Sequence, residues 1–299
     1  MTTTDHDALT RFLLPHAGVR GVRVHLDQTW QRIRHAGDPP AMTELLGEAS
    51  AAAALFTAHA KVDGRLSIQL RGEGALRTLF AECTAAGTLR GIARAAEGRE
   101  AEVSRDLHDL GPGALLAITI ENPGARGREP LRYQGIVPIE GDALVDAFEA
   151  YFERSEQLPT RLLLAVDGQS AAGLMLQKLP GDAGDADGWQ RASLLFDTLT
   201  AQELLGLDTA TLLHRLYHDE GLQLLDTRPL RFACSCSRER VAAMLQSLGT
   251  EEAHAALRED GQALVHCEFC GQSYTFDAEG IDSLFTAPGL QSQVPERLQ

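Results

Sequence analysis

The chain has 299 residues, and its 42 acidic against 27 basic residues give a formal net charge of −15. Such a surplus repels nucleic-acid phosphates and anionic membranes, which argues against both as partners. No apolar run approaches the roughly 20 residues of a transmembrane helix, and residues 1–10 are too polar and acidic for a secretory signal, so we expect a cytoplasmic protein.

The first 180 residues mix two hydrophobic periodicities. Apolar and polar residues alternate over 22–26 and 66–70, which predicts strands. Apolar residues over 42–60 and 144–152 recur at helical spacing. This mixture predicts an α+β core domain over residues 1–180.

Two features of this first part have ordinary interpretations. Gly72 and Gly74 suggest a phosphate-binding loop, but the third glycine of that motif would fall at Arg77, so a hairpin turn is expected. Cys83 is a lone thiol near Phe80, and a lone cysteine among apolar residues is more often a small core residue than a redox sensor.

A leucine-rich segment follows the core domain. Residues 181–188 are rich in glycine and aspartate, which predicts a flexible boundary. Twelve leucines lie in residues 189–225, where a capping box begins at Thr200 and a second cap is expected at Asp208. The pattern predicts a flexible, leucine-rich helical linker over 181–231. Its broad apolar faces suit a protein core and a binding surface equally well.

Four of the five cysteines lie in the last quarter of the chain. They form two short pairs, Cys234-Ser-Cys236 and Cys267-Glu-Phe-Cys270, separated by thirty residues. Zn²⁺ favours thiolate ligands, and two short pairs can close a tetrahedron with few loop constraints. In a reducing compartment, clustered thiols indicate metal or redox chemistry rather than permanent disulfides. The sequence predicts that Cys234, Cys236, Cys267 and Cys270 bind one Zn²⁺ per chain.

The residues around these cysteines predict a small module. Ser237 can cap a helix that ends at Gly249, with Val241, Met244, Leu245 and Leu248 on its apolar face, and Thr250 can cap a second short helix before Gly261. The second cysteine pair is expected in the turn of a β-hairpin. These features define a zinc module over residues 232–285, followed by a tail over 286–299.

The predicted module is too small to be stable without metal. Fewer than sixty residues with few large apolar side chains cannot bury enough surface. Closing the thirty-residue loop costs on the order of 3 kcal/mol, whereas a structural zinc contributes on the order of 10 to 16 kcal/mol. We therefore expect metal removal to unfold it. Residues 232–285 hold nine acidic side chains against three arginines, which argues against a zinc ribbon that binds nucleic acid.

Other side chains could compete as metal ligands. His266 adjoins Cys267 and could replace a sulfur, but four cysteines already complete the site. His214, His218 and Glu220 also have a spacing that could bind a metal, although a solvated polar helix face is the simpler interpretation.

Several motifs recur in the order found in a known family. They are Asp7-Ala-Leu-Thr-Arg-Phe-Leu13, Val19-Arg-Gly21, Leu45-Leu-Gly-Glu48, Ser155-Glu-Gln-Leu-Pro-Thr160, Gly173-Leu-Met-Leu-Gln177, Cys234-Ser-Cys236-Ser-Arg-Glu-Arg240 and Cys267-Glu-Phe-Cys270-Gly271. In this order the chain resembles the 33-kDa redox-regulated heat-shock chaperonin family over nearly its whole length.

The resemblance implies an ATP-independent molecular chaperone, a holdase of the oxidative stress response, and not an enzyme. Such a protein is latent when reduced and zinc-bound. On oxidation it forms disulfides, releases zinc, partly unfolds and binds unfolding client proteins. The four cysteines are then both zinc ligands and redox-active disulfides. The resemblance also implies a homodimer when oxidised and hand-over of clients to ATP-dependent foldase chaperones, without catalytic residues.

The expected disulfides join Cys234 to Cys236 and Cys267 to Cys270. The second ring is less strained, so we expect that pair to oxidise first. Without zinc the module would unfold, and the leucine-rich segment would lose the partner on which it docks.

Two alternatives belong to other functional classes. A static, zinc-stapled interaction module would keep its metal in peroxide, because most four-cysteine zinc sites are structural. A thiol-disulfide oxidoreductase would use Cys267 and Cys270, but such pairs lie at a helix N-terminus rather than between strands.

Overall fold

The structure is a computed structural model that describes residues 6–60, 62–124, 129–181, 183–258 and 261–286. These residues form two compact units, divided between Ala233 and Cys234. The predicted combination of an α+β part with a small cysteine-bearing module is confirmed. The finer division at residue 180 stays a prediction, and the predicted tail lies, after residue 286, outside the described residues.

The first unit contains both predicted kinds of element. Its helices are α1 (Gln28–Ile33), α2 (Pro40–His59), α3 (Leu144–Ser155), α4 (Gly188–Phe196), α5 (Ala201–Gly206) and α6 (Thr209–Tyr217), with 3-10 turns over Glu100–Glu102, Leu107–Leu110 and His218–Glu220. Its strands are β1 (Ala8–Leu14), β2 (Val19–Leu26), β3 (Arg65–Arg71), β4 (Leu76–Thr84), β5 (Thr88–Ala95), β6 (Leu115–Asn122), β7 (Leu131–Val137), β8 (Thr160–Val166), β9 (Ala171–Lys178), β10 (Gln223–Pro229) and β11 (Arg231–Phe232). None of the helices in the described ranges is both long and apolar enough to cross a membrane.

The strands form two sheets. One has the order β10-β1-β2-β9-β8 and the other β11-β5-β4-β3-β6-β7, and every pair is antiparallel except the parallel β11–β5 pair. Consecutive strands β10 and β11 therefore join different sheets. The glycines at 72 and 74 lie in the turn between β3 and β4, as predicted.

Helix α2 lies between the two sheets and packs against both. Pro40 starts it, a position where the missing N–H costs no hydrogen bond. Thirteen of its twenty residues are buried, including the run Ala51–Ala54, so no face of its central turns meets water. Small alanine side chains allow both sheets to approach closely, which creates the main core of the first unit.

The outer face of the five-stranded sheet is covered by α4, α5 and α6. We call residues 188–220 the helical cap. Its side chains form a second core with those of β1, β2, β8 and β9; the largest buried members are Phe12, Leu14, Leu174, Leu176, Phe196, Leu204, Leu212, Leu213 and Tyr217. Each such burial contributes about 1.5–3 kcal/mol, so apolar contact dominates docking.

Polar groups also fix the cap. The capping box at Thr200 and Glu203 and the cap at Asp208 form as predicted. Arg23, which is 1% exposed in β2, donates hydrogen bonds to the Leu207 carbonyl and to Thr209 Oγ1. Its positive charge thus meets the C-terminal end of α5, where the helix dipole favours a cation.

Two expectations for the leucine-rich segment were wrong. Its helices dock on the five-stranded sheet of the first unit, where the expectation had named the zinc module. Its last leucines, Leu224 and Leu225, lie in strand β10 instead of a helix. Pairing of β10 with β1 explains the second error, because a long-range ladder overrode the local preference.

The outer face of the six-stranded sheet is crossed by alternating charges. Arg132 Nε lies 3.7 Å from Glu121 Oε1, and Glu121 pairs in turn with Arg65. Arg65 Nε lies 3.7 Å from Glu82 Oε2, and Arg90 Nε lies 2.9 Å from Glu82 Oε1. This charge ladder spans five strands and is most exposed at Arg132 and Arg65, whose side chains are 63% and 47% exposed.

The second unit is built from α7 (Arg238–Leu248), α8 (Thr250–Ala255), β12 (Gln262–His266), β13 (Ser273–Asp277) and α9 (Ala278–Thr286). The hairpin and the first two helices were predicted, whereas α9 was not. The buried core is small and consists of Leu245, Ala253, Ala263, Phe276 and Ile281.

Two details of α7 and α8 differ from the prediction. Ser237 caps α7 as expected, but Gly249 and not Thr250 is the N-cap of α8, because Thr250 already has helical geometry. On α7, Leu245 is buried, whereas Met244 and Leu248 are 43% and 51% exposed. The rest of the second unit therefore covers only part of the predicted apolar face of α7.

Candidate metal centre

The four C-terminal cysteines meet at one point of the second unit. The Sγ atoms of Cys234, Cys236, Cys267 and Cys270 all lie within 4.8 Å of one another. The Cys234–Cys267 and Cys236–Cys270 Sγ distances are 3.5 and 3.4 Å. These distances exceed the roughly 2.0 Å of a disulfide bond, and all four thiols are free. We call this group the cysteine cluster.

Local structure positions the two cysteine pairs so that their sulfurs meet. Ser237 Oγ accepts a hydrogen bond from the Arg240 N–H and starts α7 directly after Cys236. Cys267 and Cys270 lie in the turn between β12 and β13. There the Gly271 N–H donates to the Cys267 carbonyl at 2.8 Å, and Gly271 has φ +70°, which glycine adopts without strain. The turn therefore brings its two sulfurs to one side.

The cluster geometry fits a tetrahedral zinc site. Zn–S bonds of about 2.3 Å separate the sulfurs of a regular tetrahedron by about 3.8 Å. The observed separations, from 3.4 Å for the nearest pair to at most 4.8 Å, bracket this value. Four half-buried thiols could therefore hold a metal ion, and thiolate ligands favour zinc among the common divalent ions.

Tyr274 is a partner of the cluster that sequence reasoning missed. Its hydroxyl donates a hydrogen bond to Cys236 Sγ at 3.2 Å. Burial opposes ionisation of Cys236, but hydrogen bonds from Tyr274 and the other thiols outweigh it and lower the pKa of Cys236 to about 7. Burial raises the pKa of Cys270 to about 12. Cys236 is therefore easier to ionise than Cys270.

Arg238 is a second residue that the sequence did not single out. As the first residue of α7, it donates from Nη1 to the Thr275 carbonyl at 2.9 Å. Its guanidinium also lies 4.2 Å from the ring centroid of Phe276. Arg238 thus joins the helix that follows the first cysteine pair to the strand that follows the second pair.

The competing ligands take other roles. His266 is exposed, and its Nδ1 lies 2.9 Å from Ser273 Oγ, outside the cluster. Of the helical group, His218 Nδ1 donates to the His214 carbonyl at 3.0 Å, while Glu220 is buried and binds Arg191. Neither group adds a ligand to the cysteine cluster.

A further group of possible ligands lies in the first unit. Asp106, His108 and Asp142 approach one another, but all three are exposed. Asp106 Oδ1 accepts hydrogen bonds from both the backbone N–H and Nδ1 of His108, at 2.9 and 2.8 Å. The contacts are those of a surface ion pair that caps a 3-10 turn.

Cys83 is a core residue, as predicted. It is 1% exposed, and burial raises the pKa of its thiol to about 12. Because the thiolate is the reactive form, we expect Cys83→Ala to leave peroxide sensitivity and metal content unchanged. Counting alkylated thiols by mass spectrometry checks this. Rapid labelling of Cys83 in the folded protein would contradict the assignment.

The comparisons with known proteins agree with this architecture. A family model described as "Hsp33 protein" matches residues 7–277. The chain is 45% identical over 295 residues to a 33 kDa chaperonin of Ectopseudomonas mendocina, covering 96% of this chain and 98% of that one. It is 45% identical over 294 residues to a 33 kDa chaperonin of Azotobacter vinelandii, covering 96% and 97%.

A solved structure shares the fold. The crystal structure of the 33 kDa chaperonin from Thermotoga maritima matches with a TM-score of 0.73, covering 93% of this chain and 97% of that chain at 20% identity. The family match spans both units, from β1 to the end of β13. The chain therefore belongs to the Hsp33 protein family.

Proposed function

We propose that this protein is a redox-regulated, ATP-independent chaperone, a holdase that binds unfolding proteins and prevents their aggregation. Membership of the Hsp33 family supports the chaperone and stress-response part. One observation carries the redox part: four free thiols in the small second unit place their Sγ atoms within 4.8 Å of one another.

In the latent form, the four cysteines hold one Zn²⁺ as thiolates. A bound zinc would supply four cross-links and keep the sulfurs deprotonated. The second unit needs these cross-links, because among its described residues only Leu245, Phe276 and Ile281 are large buried side chains. About 10 kcal/mol of metal binding opposes oxidation by about 0.2 V, so the glutathione pool leaves the cysteines reduced.

Oxidants activate the protein by converting the thiols to two disulfides. Each disulfide forms one S–S bond from two thiolates and gives up two electrons, which, with two protons taken from solvent, reduce one hydrogen peroxide to two waters. We place the disulfides between Cys234 and Cys236 and between Cys267 and Cys270. The oxidised sulfurs no longer bind zinc as thiolates, so the metal leaves and the second unit unfolds.

The activated form exposes the apolar surface of the sheet that the cap covers in the latent form. The chain from the helical cap to Cys234 runs through β10 and β11, which are edge strands and are therefore paired on one side. The residues of β10 are exposed apart from the half-buried Asp226, and β11 has two residues. Edge ladders open more readily than ladders inside a sheet. Their loss frees the cap to leave the sheet, and the outer face around Phe12 and Leu174 becomes available to clients.

The remaining parts of the proposal rest on family resemblance. They are cytoplasmic location, a homodimer in the oxidised state, and hand-over of bound clients to ATP-dependent foldase chaperones. Unfolded or partly unfolded proteins are the partners, and no nucleotide is required for binding them.

Light scattering of a heat-denatured client protein tests the proposal. Peroxide-treated protein should suppress client aggregation without ATP, whereas reduced protein at the same temperature should do so poorly. A colour assay run in parallel should show release of one zinc per chain, and dithiothreitol should reverse activation. Mass mapping should find both disulfides within the short pairs.

The same experiment distinguishes the proposed function from the alternative functions. A static zinc-stapled interaction module would keep its metal in peroxide and gain no activity. Long-range disulfides between the two pairs would also contradict the proposed switch. An oxidoreductase role receives no support from the geometry, since Cys267 and Cys270 lie in a hairpin turn and not at a helix N-terminus.

A further inference from the structure

Both ends of the helical cap are attached to the same turn, residues 15–18 between β1 and β2. At the entering end, Asp185 lies just before the cap; its N–H donates to the His16 carbonyl at 2.7 Å, and its carbonyl accepts from the N–H of Gly188, the first cap residue, at 3.0 Å. At the leaving end, the His16 N–H donates to the Glu220 carbonyl at 3.3 Å, and His16 Nδ1 donates to the Asp219 carbonyl at 3.1 Å. One residue of the turn therefore contacts the start and the end of the cap.

The two ends are also bonded to each other. Arg191 Nε and Nη2, in the first turns of the cap, donate to Glu220 Oε1 and Oε2 at 2.8 and 2.9 Å. Nη2 also binds Asp185 at 3.0 Å, and Nη1 binds Asp187. The Glu220 side chain is 5% exposed, whereas that of Arg191 is 35% exposed. Arg191 is thus the cation that makes burial of the Glu220 carboxylate tolerable.

Close backbone contact completes the attachment. A Cβ on Gly188 would lie 2.6 Å from Ala17 Cα, and a Cβ on Gly184 would lie 2.2 Å from the Gly18 backbone nitrogen. Only residues without a side chain allow this approach. The turn and the start of the cap are therefore fitted to each other along the backbone.

We propose that the 15–18 turn and the Arg191–Glu220 pair form a clasp that keeps the helical cap closed, so that its three helices leave the sheet as one piece. Because the clasp holds both ends at one place, opening one end removes contacts that hold the other. Arg191 acts as a positioning residue, since its guanidinium fixes Glu220 and touches no client. The link to activity rests on the proposed chaperone function.

Electrostatic and steric effects both favour concerted opening of the cap. If Arg191 is removed, the closed cap holds a buried carboxylate without its bidentate partner, while the open cap exposes Glu220 to water. Removal of Arg191 therefore destabilises the closed cap at both of its ends. Because Arg191 is one-third exposed, solvent reduces the effect relative to a fully buried pair.

Amide hydrogen exchange of the full-length, reduced, zinc-loaded protein tests the clasp. In Arg191→Leu we expect amides of α4, α5 and α6 to exchange faster by a common factor on the order of 10 to 100, with β3, β4 and β6 unchanged. The matched control is Arg215→Leu, which removes a 61% exposed cap arginine that lies 3.8 Å from its partner Glu203. Its exchange should equal that of the wild type.

Two further variants separate the clasp from general damage. Arg191→Leu combined with Glu220→Leu should exchange more slowly than Arg191→Leu alone, because the buried carboxylate is gone as well. Gly188→Ala should open the whole cap by steric conflict with Ala17. Gly206→Ala, in the same cap but with no atom within 4 Å of the added Cβ, should not.

The outcomes distinguish the clasp from the proposed function. Faster exchange confined to α4, or no change in Arg191→Leu and Gly188→Ala, would overturn the clasp. If all three helices open together and the reduced, zinc-bound variant also suppresses client aggregation, both the clasp and its role in latency are supported. If they open together without any gain in client protection, the clasp stands, and the assignment of this surface to clients fails.

Discussion

Replacing Cys267 with serine should yield a reduced protein with little bound zinc, an unfolded second unit and an intact first unit. One of four thiolate ligands is lost, and a structural zinc supplies on the order of 10 to 16 kcal/mol to a small metal-dependent module. The core of the second unit cannot replace that contribution, since two of its five buried residues are alanines.

Zinc content and amide exchange measure the two parts of this result. The colour assay should find one zinc per chain in the wild type and a sharply lower amount in Cys267→Ser. Amides of β12 and β13 should lose protection, while those of β3 and β6 keep it. Cys83→Ala is the control, because it removes a cysteine outside the cluster. Metal-free, folded, reduced wild-type protein at normal yield would exclude the zinc site.

Replacing Leu212, Leu213 and Leu216 with serine should detach the helical cap from the five-stranded sheet. Leu212 and Leu213 are 1% and 0% exposed, and Leu216 packs against the same core. Shortening one buried leucine costs about 2 to 5 kcal/mol, and each new hydroxyl adds the cost of burying a polar group. Together these costs exceed what a short three-helix segment can withstand. The main core around α2 should remain folded.

Activity in both redox states shows what the detached cap does. If the cap restrains the latent state, the reduced, zinc-loaded variant should already suppress client aggregation. If the cap itself binds clients, activity of the oxidised variant should fall. Leu194→Ser is the control, since Leu194 belongs to the same cap and is 61% exposed. Unchanged activity in both states would show that the segment neither gates nor binds.

Local patterns predicted much of the fold, because they record interactions between near neighbours. The helical spacing over 42–60 corresponds to α2, and the alternation over 66–70 lies within β3. The capping box at Thr200 forms because its two members are three residues apart in one turn. The spacing of the cysteines also sufficed to predict that their sulfurs meet.

Features that depend on distant residues were not predictable in the same way. Helical periodicity shows that a face is apolar but not which surface covers it, so the dock of the helical cap was assigned to the wrong partner. Strand β10 forms because β1 supplies a ladder more than two hundred residues away. The sequence predicted the hairpin around Cys267 and Cys270, but only the folded hairpin shows that the Tyr274 hydroxyl reaches Cys236.

The charge ladder has a consequence if the protein binds aggregating polypeptides as proposed. A protein that binds unfolded chains can extend an aggregate only if it has binding surfaces on opposite sides. If the cap leaves as proposed, the outer face of the five-stranded sheet becomes an apolar binding surface, while the outer face of the six-stranded sheet carries the alternating arginines and glutamates from Arg132 to Arg90. Under the proposed function, a molecule that binds a growing aggregate through its apolar face would present this charged face to further polypeptides, and so would end growth instead of extending it.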